Sequence, residues 1–403
     1  MTARVEGKRS AVYMIAVMAG ISAIGPFSVD AYLPALPAMA DSLDAPASLL
    51  QLTLSVYLLG IAIFPLVLTP ISDAIGRKPV LAAALICYAA LSAACALALN
   101  AEMLVLFRLF QAAAGGVVMT VARAVVADQY SGDALSRAMS HVMLIFTIAP
   151  VIAPLCGSLL LELAGWRAIF WALMVYGLIG VVAAWSLNET LPAERRRSYN
   201  LASLRDGYVE IAQSRETRRY LYLTFWSATF FFAMLTSAPF IFIEEHGFTA
   251  LQFGYVFATI SASAFLANIL NARMVMRVGY AAMLRGVILL LTALAAAVVV
   301  IAFAKAGGPW GILVGMIGLM GVFHILFANT TAGIMQQVPH RTGAISAVMA
   351  LFRFVGGALG SAALGLFSSD QAIGLAVVLA VSVLVMLNIS RGLSQSSQPM
   401  PSP

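Results

Sequence analysis

Two ionisable residues lie inside apolar stretches of this chain, where a charge needs a reason to be. Asp30 lies about seven residues before the end of the first apolar run, and Arg108 about seven residues after the start of the fourth. If the two runs cross a membrane in opposite directions, a rise of 1.5 Å per residue puts both side chains roughly 10 Å below the same boundary. The spacing therefore predicts that carboxylate and guanidinium can meet at one depth. Desolvation and a neighbouring guanidinium act in opposite senses on a carboxylate's hold on its proton, so water or a ligand could tip such a site. Arginine does not release its proton under these conditions, which makes Asp30 the candidate proton carrier and Arg108 its modulator. The competing reading is a static ion pair that holds two helices in register.

Gln111 and Gly115 follow Arg108 at i+3 and i+7, on one helical face. A glutamine amide offers both donors and an acceptor, so Gln111 is a candidate ligand contact; Gly115 suits close helix packing. A third intramembrane charge, Arg353, stands midway along the eleventh run, and Asn329 lies on the tenth. Arg353 could line a cavity and attract an anionic or dipolar group. Tyr32, Tyr57, Met143 and Phe231 are candidates for an adaptable apolar wall, the kind of surface that accepts varied ligands. Between the second and third runs stands Pro70-Ile71-Ser72-Asp73-Ala74-Ile75-Gly76-Arg77-Lys78-Pro79. Gly76 suits a tight turn, Asp73 a helix start, and Arg77 and Lys78 either anionic headgroups or acids on other helices. The fifth run carries Pro150, Pro154 and Gly157; the prolines remove backbone hydrogen bonds and allow bending, and the glycine allows close approach to a neighbour.

The elements that must position these residues follow from composition. A chain of 403 residues with 62% hydrophobic and 10% charged content is not a soluble globule, which carries roughly a quarter charged residues. Stretches of about 20 apolar residues, enough to cross a bilayer, run from Ala11–Leu36 to Ile373–Ile389 and number twelve. They fall in two sets, 11–187 and 220–391, separated by a polar linker, 188–219, with short tails at 1–10 and 392–403. The linker holds Arg195, Arg196, Arg197, Arg205, Arg215, Arg218 and Arg219, and such a cluster belongs on the cytoplasmic side. With both termini also inside, Arg77, Lys78, Arg137, Arg273 and Arg277 share that side, while Asp41, Asp44, Glu162, Glu244, Glu245 and Asp370 face out. The net charge of +6 then reflects orientation and anionic-lipid contact, and nucleic-acid binding is not expected. The first apolar run is too long for a cleaved signal peptide. The C-terminal tail, rich in Ser, Gln and Pro, is expected to be disordered. Cys87, Cys95 and Cys156 lie within apolar runs, and His141, His246, His324 and His340 are scattered, so neither a disulfide framework, a metal site nor a cofactor is expected. No nucleotide-binding loop of the G-x-x-x-x-G-K-[ST] type is present.

The Asp73–Lys78 loop and Phe107-Arg108-Leu109-Phe110-Gln111 resemble the loop signature and the helix-four arginine motif of the major facilitator superfamily. Val29-Asp30-Ala31-Tyr32-Leu33-Pro34-Ala35-Leu36-Pro37 is similar to the Bcr/CflA branch of its proton-coupled drug exporters. The resemblance implies an all-α integral membrane protein of twelve transmembrane helices in two six-helix bundles around a central cavity. It further implies a monomeric inner-membrane antiporter that exports amphipathic molecules, such as bicyclomycin- or chloramphenicol-like antibiotics, in exchange for protons and by alternating access. In the family the acid and arginine matching Asp30 and Arg108 are functional, substrate lies near Asp30 and the second span, and the Asp73 loop stabilises one conformation through a partner that here is Asp128. Three positions depart from the pattern. Ser22 stands where some relatives carry a second acid, Met276 stands where a repeat of the loop would place Asp73, and Cys156 stands where the fifth-span motif has glycine. An exporter of a metabolite such as an amino acid or sugar shares every one of these features; a passive uniporter would not need Asp30. An enzyme is the outsider and is not expected.

Overall fold

The computed structural model describes residues 13–196, 214–337, 342–367 and 370–392. The linker's arginines from Arg197 to Arg205 and the tails expected at 1–10 and beyond 392 lie outside these residues. Among the described residues there are no strands and twelve helices long and apolar enough to cross a membrane. They are α1 Tyr13–Ser42, α2 Ala47–Ile75, α3 Arg77–Ala96, α4 Ala101–Gln129, α5 Arg137–Ala164, α6 Trp166–Trp185, α7 Arg215–Glu245, α8 Ala250–Val278, α9 Tyr280–Ala304, α10 Gly308–Gln337, α11 Ile345–Phe367 and α12 Gln371–Ser390. Their outward faces remain apolar: Val182, Leu266, Leu289 and Val314 are each more than 60% exposed, a pattern that water would penalise and lipid does not. The chain is a multi-pass membrane protein.

Two compact units are formed, one from 1–45 with 56–200 and the other from 46–55 with 201–403. The first turns of α2 group with the second unit. In the first unit α3 packs along α4 and α6, and α1 lies against α5. In the second, α7 packs along α10, α11 and α12, while α10 also contacts α8 and α9.

Close approach in the first unit is set by glycine. A Cβ at Gly157 of α5 would lie 1.7 Å from the Ala31 carbonyl oxygen of α1, so the two backbones touch there without an intervening side chain. This contact falls where α1 changes from α-helix, Ile24–Asp30, to the short 3-10 turn Leu33–Ala35. Pro154 and Pro150 sit inside α5 about one and two turns before that contact. The second unit repeats the device, because a Cβ at Gly360 of α11 would lie 1.9 Å from the Thr229 oxygen of α7.

Candidate functional site

The buried polar residues of the first unit converge on Arg108. Its guanidinium lies against two rings, with its carbon 4.3 Å from the centroid of Tyr32 and 4.0 Å from that of Tyr57. Nη1 donates to Gln111 Oε1 at 2.7 Å, and Nη2 donates to the Ser28 carbonyl at 2.9 Å. The Gln111 amide then donates to Ser92 Oγ at 2.7 Å, which itself donates to the Tyr88 carbonyl. Ser28 Oγ donates to the Ile24 carbonyl and is also hydrogen-bonded to Tyr88 Oη, so the tyrosine is the donor of that pair. The chain of contacts thus links α1, α3 and α4. Gly115 makes room for it: a Cβ there would stand 3.2 Å from the Tyr57 hydroxyl.

Magnitudes explain how this arginine is tolerated. A charge at mid-bilayer costs at least about 2.5 kcal/mol on insertion scales. Two hydrogen bonds from a charged donor contribute about 1.5–3 kcal/mol each, and desolvated cation–π contacts up to about 2. Arg108 is therefore accommodated without a carboxylate. Asp30 is 5% exposed, yet among the described residues no cation lies within ion-pairing distance of it. The expected pairing of Asp30 with Arg108 is replaced by one through the backbone, since Arg108 grips α1 at the carbonyl two residues before the acid. Both ends of the Gln111 amide are engaged in holding Arg108 and Ser92, and the residue is fully buried.

A second constellation gathers where α2, α3, α4 and α6 end. Arg77 is the hub. Its Nη1 lies 2.6 Å from Asp73 Oδ1 and 2.6 Å from Ser72 Oγ, and its Nε donates to Asp128 Oδ2 at 2.9 Å. Asp128 is therefore the partner of Asp73 through a shared guanidinium. Asp73 itself lies in the first turn of a short helix, Ile71–Ile75, and pairs with Arg77. Lys78 turns away and donates to the Trp185 carbonyl.

Glu189, just past α6, was not among the site residues expected from sequence. Its carboxylate accepts from the first two amides of α3, Arg77 N and Lys78 N, each at 3.0 Å, and from Thr190 N and Leu191 N. Burial pushes its carboxyl up, but these four backbone donors outweigh that and hold it below the ordinary carboxylate value. Gly76 has φ +115°, and a Cβ there would lie 2.6 Å from Glu189 Oε2. Glycine is thus required twice, by backbone conformation and by the carboxylate seated on the turn. The available signal was the acid two residues after an apolar run, next to the threonine that donates to Asp128.

In the second unit, Arg353 lies over the ring of Phe327 at 4.4 Å and near those of Phe323 and Phe354 at 5.8 and 5.7 Å. Phe231 stacks on Phe323 with centroids 3.8 Å apart. Asn329 is turned elsewhere, donating to Asn271 Oδ1 at 2.7 Å and to the Ile325 carbonyl. Met143 on α5 is 41% exposed. The sequence reading also omitted Arg123, which lies within α4 and donates to the Met119 carbonyl one turn back. No group of three or more His, Cys, Asp or Glu side chains capable of holding a metal occurs among the described residues.

Comparison with known proteins places this geometry in a family. The profile of the Major Facilitator Superfamily matches residues 13–361. A Bacillus subtilis (strain 168) MFS-type transporter, YdgK, is 29% identical, with 92% of this chain and 93% of that protein covered. A bicyclomycin resistance protein homolog of Haemophilus influenzae is 26% identical, with 94% and 95% covered. Among solved structures, a bacterial homolog of the human lysosomal transporter Spinster superposes with a TM-score of 0.73 at 14% identity, with 95% of this chain and 96% of that one covered. The last likeness concerns the fold alone.

Proposed function

The chain belongs to the Major Facilitator Superfamily, a family of transporters and not enzymes, and from that premise we propose that it is a proton-coupled antiporter exporting amphipathic small molecules. The observation that carries this reading is Asp30: a carboxyl buried in the membrane-spanning part of the first unit, without an ion-pair partner among the described residues, two residues from a carbonyl gripped by Arg108. A neutral acid rests in such a place without a counter-charge. An ionised one calls for water or a cationic or polar ligand. Exchange of the proton for substrate follows from that difference, and Arg108 sets the position of the α1 segment on which the acid sits.

Tyr32 and Tyr57 both lie against the same guanidinium, so a ligand that displaces either ring would also disturb Arg108. In this reading Gln111 positions Arg108, and Phe231 and Arg353 are separate candidates for contact with substrate within the second unit. Asn329 and Met143 stay secondary candidates. The Asp73–Arg77–Asp128–Glu189 cluster holds one conformation of an alternating-access cycle, and Pro150, Pro154 and Gly157 let α5 bend against α1. Similarity to a bicyclomycin resistance protein homolog supports the Bcr/CflA branch of drug:H+ antiporters, a monomer in the bacterial inner membrane with both termini cytoplasmic. The test is a susceptibility screen in an efflux-deficient bacterial host comparing the protein with Asp30→Asn. Resistance to an antibiotic conferred by the parent and lost in the variant supports the proposal. Equal resistance from both argues for a carrier that does not exchange protons at Asp30.

A further inference from the structure

Arg353 differs from Arg108 in what surrounds it. Arg108 spends two of its nitrogens on hydrogen bonds. Arg353 makes no hydrogen bond or ion pair to any described residue; its Nε, like that of Arg108, is sealed from solvent without a partner. Its other atoms keep partial exposure. The surroundings offer ring faces only, chiefly Phe327, with Phe323 and Phe354 at the limit of cation–π range. His324 packs edge-on against Phe323 and Phe231 at 5.5 and 6.4 Å and is likewise without a hydrogen bond to a described residue. Every acid described in this unit, Glu216, Glu244, Glu245 and Asp370, lies at a helix end.

A half-buried guanidinium with unused donors, beside an imidazole and stacked aromatic rings, is complementary to one kind of ligand. We propose that the Arg353–His324–Phe323–Phe327 cluster of the second unit binds the anionic group of an aromatic substrate, a carboxylate or acidic phenol attached to a flat apolar ring. The planar donor fork suits a carboxylate, and the stacked phenylalanines supply offset faces for the ring. This rests on the transporter reading above and deepens it by naming a substrate class. It does not depend on proton exchange at Asp30.

The experiment uses the full-length protein in nanodiscs of zwitterionic lipid and measures binding of naphthoic acid, its neutral amide and the corresponding naphthylmethylamine. The parent should bind the carboxylate about tenfold tighter than the amide, as a charge-assisted hydrogen bond implies. Arg353→Gln should abolish that preference with amide affinity unchanged, and Arg353→Lys should retain part of it. Equal loss for both probes in Arg353→Gln would mean a packing role and overturn the proposal, as would a carboxylate preference absent from the parent or surviving in the variant. Competition by added phosphatidylglycerol would assign the site to a lipid headgroup instead. Binding of none of the three probes would sink this substrate class. Arg353-dependent anion binding together with normal export by Asp30→Asn would leave this site standing while removing the proton-exchange mechanism.

Discussion

The Arg108 environment makes different demands on each neighbour, and substitutions should separate them. Lysine at 108 keeps the charge but loses the planar fork that reaches both the Gln111 amide and the Ser28 carbonyl. Arg108→Lys should therefore lower export at least about tenfold, the loss expected when one charge-assisted hydrogen bond goes unmade, as measured by substrate efflux from proteoliposomes. Gln111→Ala should act in the same direction, because it frees Nη1 and cuts the link from Arg108 to the Ser92 hydroxyl, which keeps only its bond to the Tyr88 carbonyl. If Gln111 contacted substrate and not Arg108, its loss would change affinity between substrates of different shape and spare the rest. The depth of Asp30 and Arg108 was legible from residue counts. Their partners were not, since counting along a helix fixes height and leaves direction around the axis open. A backbone carbonyl as counter-group leaves no mark on side-chain identity, which is why Ser28 was invisible.

At the scale of elements, two glycines and one glutamate fix how helices meet. Gly157→Val would drive side-chain carbons into the Ala31 carbonyl, and overpacking of this kind costs about 1–3 kcal/mol; a lowered unfolding temperature of the purified protein would register it. Gly76→Ala should cost about 1–3 kcal/mol through its positive φ, and it also crowds Glu189. Glu189 gives the cluster a pH signature. Its folded carboxyl titrates below the ordinary value of 4.5, so the stability it contributes is fully present above that value and is lost as pH falls through the folded one. The parent should be more heat-stable than Glu189→Gln at neutral pH, and the difference should close once the pH has fallen through the folded carboxyl's lowered titration. A difference that persisted there would mean that the side chain acts by shape and not by charge. The Asp73–Lys78 spacing announced this junction. Glu189 was hidden because it opens a polar linker, where an acid looks solvated until the amides it caps are seen.

For the whole molecule, twelve apolar runs and the placement of arginine and lysine carried the architecture, because length and burial in lipid leave few alternatives to helices. Less legible was the grouping of residues 46–55 with the second unit, since nothing local distinguishes the first turns of α2 from the rest. The expected orientation is open to a simple check. Cysteine at Leu99, which is 80% exposed between α3 and α4, should react with an impermeant maleimide added to intact cells. Cysteine at Ser131, exposed between α4 and α5, should react only after permeabilisation. The reverse pattern would invert the molecule, and export would become import.

The central claim is that substrate and proton compete through Asp30, and linkage sets its sign. A substrate that prefers the deprotonated site releases protons as it binds, and its apparent affinity rises with pH. The most direct measurement is the pH change of a weakly buffered solution of purified protein when a substrate found in the susceptibility screen is added. Acidification by the parent and none by Asp30→Asn, with binding retained by the variant, is the predicted result. Binding without proton release in the parent, or equal release from both proteins, would contradict the account.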